Sequence, residues 1–360
     1  MRTMLGPLAA LAGVFCLNPL APSQPPAPQV PPQATIAQKI SKERLIEVLR
    51  RLPASRAALG DVAAREGLVK TEVLLEGMLK EAGVAPTLHE FTWALPARNF
   101  GSDPDAAKAP APELHPWHNI VVDLPGTDLA AEVLLVSAHM DAVPGSPGAD
   151  DDGTGTAAIV ELARVFANTH HRRTIRLCLF NLEEVGLIGS TRYVLDWKQA
   201  KSKAVNPGEE KPNPERIIGM VSLEMLGYFS DAPNSQKSPI PAIKGVFDPP
   251  TVGDNIILVG INRDSQFIQN FAREMRQAAP GLKVGTVDFL AIPAPDMLRS
   301  DHRGFILAGI PGAMLTDTAN FRNPNYHQPT DTVETLDLDR YTLVVQGVAG
   351  AIDALAEPAR

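Results

Sequence analysis

Cysteine is nearly absent from this chain of 360 residues, which holds only Cys16 and Cys178. Cys16 lies in a segment that reads as removable, so the mature chain keeps one thiol and no intrachain disulfide framework. Basic runs are missing too. With a formal net charge of −8, a pI of about 5.5 and no long Lys/Arg stretch, the chain offers phosphate no basic face. That excludes a nucleic-acid partner and disfavours a polyanionic substrate. No stable membrane span is expected in the mature chain, because the apolar N-terminal stretch falls short of the roughly 20 residues a span needs. There is no internal repeat. What remains, 44% hydrophobic and 21% charged, is enough for one large α/β domain or two ordinary ones and argues against global disorder.

Arg2 is the only charge before Lys39, and Met4 to Ala21 is apolar but broken by Gly6, Pro7 and Gly13. Residues 1–21 therefore read as a signal peptide, and the protein as exported, periplasmic or secreted. Phe15 stands where a lipoprotein signal would want a small residue before Cys16. Seven prolines between Pro19 and Pro32 favour extended chain, so 22–35 is expected to be a proline-rich linker and 36–360 a single domain.

Within that body, Ser41 can cap a helix with Leu45, Val48, Leu49 and Leu52 on one face, and Thr71 a second with Leu74, Leu75, Met78 and Leu79, closed by Gly83. Strands are expected over Thr87 to Trp93, Asn119 to Leu124, Ile217 to Leu223, Asn255 to Val259 and Pro311 to Thr316. Gly101 to Pro116 and Lys198 to Glu215 read as surface connections. Ser265 to Ala278 and Leu338 to Leu355 read as helices. Strands alternating with helices predict a three-layer α/β sandwich, a mostly parallel mixed sheet with helices on both faces.

Val133 to Gly189 organises the chain. An apolar strand ends in His139 and Asp141, a glycine-rich turn carries Asp150, Asp151 and Asp152 into a helix, and a second apolar strand ends in Glu183 and Glu184. Sites in open α/β sheets gather at the carboxyl ends of strands, and imidazole with carboxylate but no thiolate suits Zn, Mn or Co. Each piece has a plainer explanation by itself. His-x-Asp after a strand can be structural, and the aspartates can cap the following helix. Glu183-Glu184 can be a hydrated pair, although adjacent carboxylates beside so apolar a strand repel unless a cation offsets them. Glu224, ending the strand MVSLE, and His327, in the loop NYHQPTDT, would not stand out alone.

Together His139-x-Asp141, Gly148-Ala149-Asp150-Asp151-Asp152-Gly153-x-Gly155, Glu183-Glu184-x-Gly186, Glu224 and Tyr326-His327 resemble the co-catalytic zinc aminopeptidases, peptidase family M28, over about Asn119 to Thr335. The resemblance implies a zinc-dependent exopeptidase, most readily an aminopeptidase acting on peptides. Two zinc ions would share Asp151, with His139 and Glu224 completing one site and Glu184 and His327 the other. Co or Mn could substitute. Each metal keeps a position open for a shared water of lowered pKa. Glu183 is the implied general base and Tyr326 the implied oxyanion donor. Asp141 is expected to accept from the far nitrogen of His139, and His302, in Ser300-Asp301-His302, to lie at the substrate pocket or in the scaffold behind it. The family has an aspartate where this chain has Glu224, a carboxylate displaced by on the order of 1.5 Å. A glutaminyl cyclase, which uses one zinc on the same fold, is the alternative; a binding domain that has lost its ligands is a third. Side-chain preference, amino- versus carboxypeptidase action and oligomeric state are not legible.

Overall fold

Along Leu129–His139, successive residues fall on opposite faces of a strand, and from Val133 onward both faces are buried. Leu134, Val136 and Ala138 join one hydrophobic core, while Val133 and Leu135 join another. A strand buried on both faces needs cover on both. The computed structural model describes residues 34–94, 114–203, 215–291 and 294–359, with Thr35–Arg360 forming one compact unit. The expected signal peptide 1–21 and linker 22–35 lie outside the described residues except for Ala34 and Thr35. Among the described residues, no helix is long and apolar enough to cross a membrane.

Eight strands form one sheet: β1 (Thr87–Ala94), β2 (Leu114–Leu124), β3 (Leu129–His139), β4 (Arg173–Phe180), β5 (Arg216–Glu224), β6 (Ile256–Gly260), β7 (Val284–Val287) and β8 (Gly312–Thr316). Their order is β1-β2-β4-β3-β5-β8-β6-β7. β4, β3, β5 and β8 run parallel, as do β6 and β7, whereas β1–β2, β2–β4 and β6–β8 are antiparallel. The sheet is thus mixed, as expected. The larger core packs α1 (Lys42–Arg51), α2 (Val62–Glu81), α3 (Gly155–Phe166), α5 (Ser265–Ala278) and α7 (Leu338–Ala356) against one face. The second core packs residues of α4 (Ile188–Lys203) and α6 (His302–Leu307) against the other face.

Three expectations change. α2 starts well before Thr71: Asp61 caps it by accepting from the Ala64 amide, and the Thr71 hydroxyl donates back to the Gly67 carbonyl inside the helix. β2 begins at Leu114, so Pro116 lies within a strand. It pairs with Thr92 of β1, while β4 joins the other edge only from Ile120 onward, leaving that edge unladdered where proline has no N–H to give. The expected connection at Lys198 is still helix through Lys203, and 101–113 and 204–214 lie outside the described residues.

The face carrying α4 and α6 continues across β8, β6 and β7 as a third, smaller core. Ile257, Val259, Val287 and Met314 point there and meet Ile240, Met297 and Phe247 from connecting segments. Packing is incomplete at this place. A cleft of about 810 Å³, open mouth included, is left between the sheet and the connection after β5.

Candidate metal centre and the cleft beside it

Five chain segments deliver the expected ligands to one end of the sheet. His139 ends β3, Glu183 and Glu184 follow β4, Glu224 ends β5, and His327 lies in the loop after β8. Asp151 sits in the turn before α3, where Gly148 has φ +58° and a Cβ would meet the Asp151 carbonyl oxygen at 2.3 Å. Only glycine fits there. The Asp151–Asp152 peptide bond is cis.

The three aspartates divide their work. Asp150 accepts from the Gly227 amide and the Asn323 side chain, and Asp152 accepts from the amides of His139, Gly155 and Met225. Both are used up holding strand ends together. Asp151 alone faces the histidines, with Oδ1 3.1 Å from His139 Nε2 and Oδ2 3.1 Å from His327 Nε2. Glu224 Oε1 lies 3.7 Å from His139 Nε2, and Glu184 Oε2 lies 3.3 Å from His327 Nε2. The turn itself is pinned from behind by Asp331, which accepts from the amides of Asp150 and Asp151. Arg56, wholly buried, donates to the carbonyls of Met140, Pro147 and Gly148. Leaving one such buried carbonyl without its donor typically costs about 1–3 kcal/mol.

The electrostatics are those of a site short of positive charge. Burial, then the nearby carboxylates of Glu224 and Glu184, push Glu183 well above the usual carboxylate range. Burial and Asp151 push Glu184 up to about 7. Burial opposes the imidazolium of His327, yet Asp151 and Glu184 lift its pKa to about 10. His139 likewise rises well above its ordinary value, against burial, through Glu183 and its bonds to Asp141, Asp151 and Glu224. Protons and a cation therefore compete for the same atoms. The donor set fits a cation on geometry as well. His139, Asp151 and Glu184 each offer an atom within 4.8 Å of the others. Glu184 Oε1, Glu224 Oε2 and His327 Nε2 are buried without a hydrogen-bond partner, although His327 Nε2 lies near two carboxylates. Close donors not aligned to hydrogen-bond are what ligands around an ion look like.

Three further expected residues have the following surroundings. Asp141 reaches His139 Nδ1 mainly through its own backbone oxygen, at 3.1 Å, with the carboxylate at 3.6 Å. That carboxylate instead accepts from the amides of Glu183 and Glu184 and so fixes the turn carrying the proposed base. His302 is fully buried, its Nε2 2.7 Å from the Met297 carbonyl, and burial drops its pKa to about 4. It stands behind the cleft wall and does not face the cleft, because α6 turns its first residue inward. Tyr326 stacks on the His327 ring at 3.8 Å and 21°, and its hydroxyl accepts from Arg299 at 2.7 Å. Asp301 has both carboxylate oxygens buried and unpartnered, with burial raising its pKa to about 7. Sequence reading missed Arg56, Asp331, Asn323 and Arg299, and no motif or spacing marks any of them.

Glu224 and Tyr326 also line the apolar cleft, so centre and cleft are continuous. The model of peptidase family M28 matches residues 119–352. Escherichia coli (strain K12) YfbL, an uncharacterized protein, is 31% identical over 244 residues, covering 65% of this chain and 69% of that one. Bacillus subtilis (strain 168) aminopeptidase YwaD is 44% identical over 220 residues, 58% of this chain but only 38% of its own length. The solved aminopeptidase from Aneurinibacillus sp. strain AM-1 superposes with a TM-score of 0.63 at 18% identity, covering 90% of this chain and 96% of that one. That last likeness is one of fold.

Proposed function

The chain belongs to peptidase family M28, and on that premise we propose that it is a zinc-dependent exopeptidase removing N-terminal residues from peptides. One observation carries the reading: a single carboxylate, Asp151, addresses two histidines through its two oxygens, and each histidine has one glutamate beside it. Two ions would be held there, one by His139, Asp151 and Glu224, the other by Asp151, Glu184 and His327, with Co or Mn as possible substitutes. Zinc, when bound, supplies Lewis acidity that polarises a carbonyl and lowers the pKa of water.

The chain's own groups do the rest. Glu183 is 8% exposed at the same strand end, held by Asp141 through its amide, and takes a proton from the attacking water. It returns that proton to the leaving amine. Tyr326 donates to the oxygen that gains charge. The excess of carboxylate at the centre, with both oxygens of Asp301 unpartnered beside Glu183 and Glu224, suits an ammonium group better than a terminal carboxylate. The cleft, walled by Ile257, Val259, Met297 and Met314, suits an apolar side chain next to that ammonium. A panel of peptides with free and acetylated N-termini, assayed after chelation and after adding back zinc, tests the reading. Only free-amine peptides should be cleaved, and only with metal present. Chelator-resistant cleavage, or cyclisation of N-terminal glutamine without hydrolysis, would replace it.

A further inference from the structure

We infer that Arg299 is a positioning residue for Tyr326, holding the phenol so that its proton is left free to be donated at the reacting carbonyl. The inference rests on the peptidase reading for what that donation accomplishes. Arg299 Nη2 donates to the Tyr326 hydroxyl oxygen at 2.7 Å, and its guanidinium carbon lies 5.6 Å from the ring centre. Guanidinium has only donors, so in this pair the phenol must accept. Its own O–H must then point elsewhere, and Arg299 is its only hydrogen-bond partner among the described residues.

The same guanidinium is anchored by Asn320 at 2.9 Å and Asp296 at 3.4 Å through Nη1, which leaves Nη2 for the tyrosine. The ring is fixed independently by stacking on His327 at 3.8 Å. Two constraints thus set the hydroxyl, one on the ring plane and one on the oxygen. The charge also matters. A donor to the phenol oxygen draws electron density from it and strengthens the remaining O–H as a donor, as coupled hydrogen bonds do. Without the Arg299 guanidinium, no hydrogen bond among the described residues would hold the phenol oxygen.

A double-mutant cycle tests this. Tyr326→Phe should lower kcat about 100-fold and Arg299→Gln about tenfold, with KM within about twofold of wild type in both. In the Tyr326→Phe background, Arg299→Gln should change kcat less than about twofold, and Arg299→Lys should restore part of the single-variant loss. Additive losses would overturn the inference. So would a raised KM at unchanged kcat, which would make Arg299 a binding group for substrate. A readout free of catalysis is available because the chain has four tyrosines. In protein labelled with 3-fluorotyrosine, the ¹⁹F resonance missing from Tyr326→Phe should shift in Arg299→Gln. If it does not move, the inference fails even where peptidase activity is confirmed. A resonance that shifts in Arg299→Gln, with a wild type that cleaves no peptide, would overturn the peptidase reading and leave the Arg299–Tyr326 assignment standing.

Discussion

The acidic centre draws its side chains from the carboxyl ends of β3, β4 and β5, each fixed by directional bonds, whereas the cleft beside it is walled by apolar side chains that touch without bonding. Asp141, Asp152 and Asp331 together accept from seven backbone amides at the strand ends and in the metal turn. Moving one ligand there strains several others. The cleft has no such bracing: Val259, Ile257 and Met314 can change volume without disturbing a hydrogen bond. Chemistry should therefore be brittle, and side-chain preference adjustable.

The largest effect that could break this contrast lies at Glu183. Glu183→Gln keeps the size and the backbone N–H hydrogen bond to the Asp141 carboxylate but removes the proton acceptor. Turnover should fall by about 10³-fold or more while zinc content stays at the wild-type value. Activity within tenfold of wild type would move the base elsewhere. Next comes Glu224, which faces both regions. Glu224→Ala leaves its ion two protein ligands, so elemental analysis after dialysis should find close to one zinc per chain. Glu224→Asp should retain both, one weakly, with activity recovered at raised zinc. Two tightly held ions in Glu224→Ala would point to another acid. The structure disfavours Asp150, which is committed to Gly227 and Asn323, and leaves Asp301 as the candidate.

How legible each region was follows from how it is built. The strands around the centre are near-continuous apolar runs, and their charged ends, His139, Glu183-Glu184 and Glu224, announced themselves by breaking that pattern. The spacing could not say which of three adjacent aspartates faces the histidines; the resemblance supplied Asp151, and in the structure it is the one whose neighbours are spent on other bonds. The cleft left no such trace. Its walls come from β6, β7 and β8 and from the segments around Ile240 and Met297, far apart in sequence, and an apolar residue lining a cleft reads like any core residue. Arg56 and Asp331 are invisible for a related reason: each acts on backbone groups, which have no sequence signature.

A substitution in the cleft should give a smaller, selective effect. Val259→Trp adds bulk to an apolar wall remote from the ligands. It should lower kcat/KM about 10- to 100-fold for peptides beginning with leucine or phenylalanine, and less than about threefold for those beginning with alanine. Zinc content should not change. Equal losses on all three peptides would show that the cleft does not receive the N-terminal side chain and would remove the basis for contrasting it with the centre.

The smallest effect sharpens the contrast from behind the cleft, at His302. Burial holds its folded-state pKa at about 4, below the ordinary 6.5, with its imidazole bound to the Met297 carbonyl. The folded protein keeps this ring neutral while the unfolded chain takes up a proton, so the stabilisation is full above pH 6.5 and is lost as pH falls toward 4. The gap corresponds to about 3 kcal/mol across that window. His302→Gln cannot take up that proton, and denaturant titrations at a series of pH values should show a shallower loss of stability between pH 6.5 and 4 than in wild type, compared at equal zinc content. Turnover at neutral pH should stay within about threefold, because His302 supports Met297 and touches no ligand. If the variant keeps the wild-type slope, the acid sensitivity belongs to the centre's own carboxylates and histidines. If it instead loses zinc, the two regions are mechanically coupled through α6.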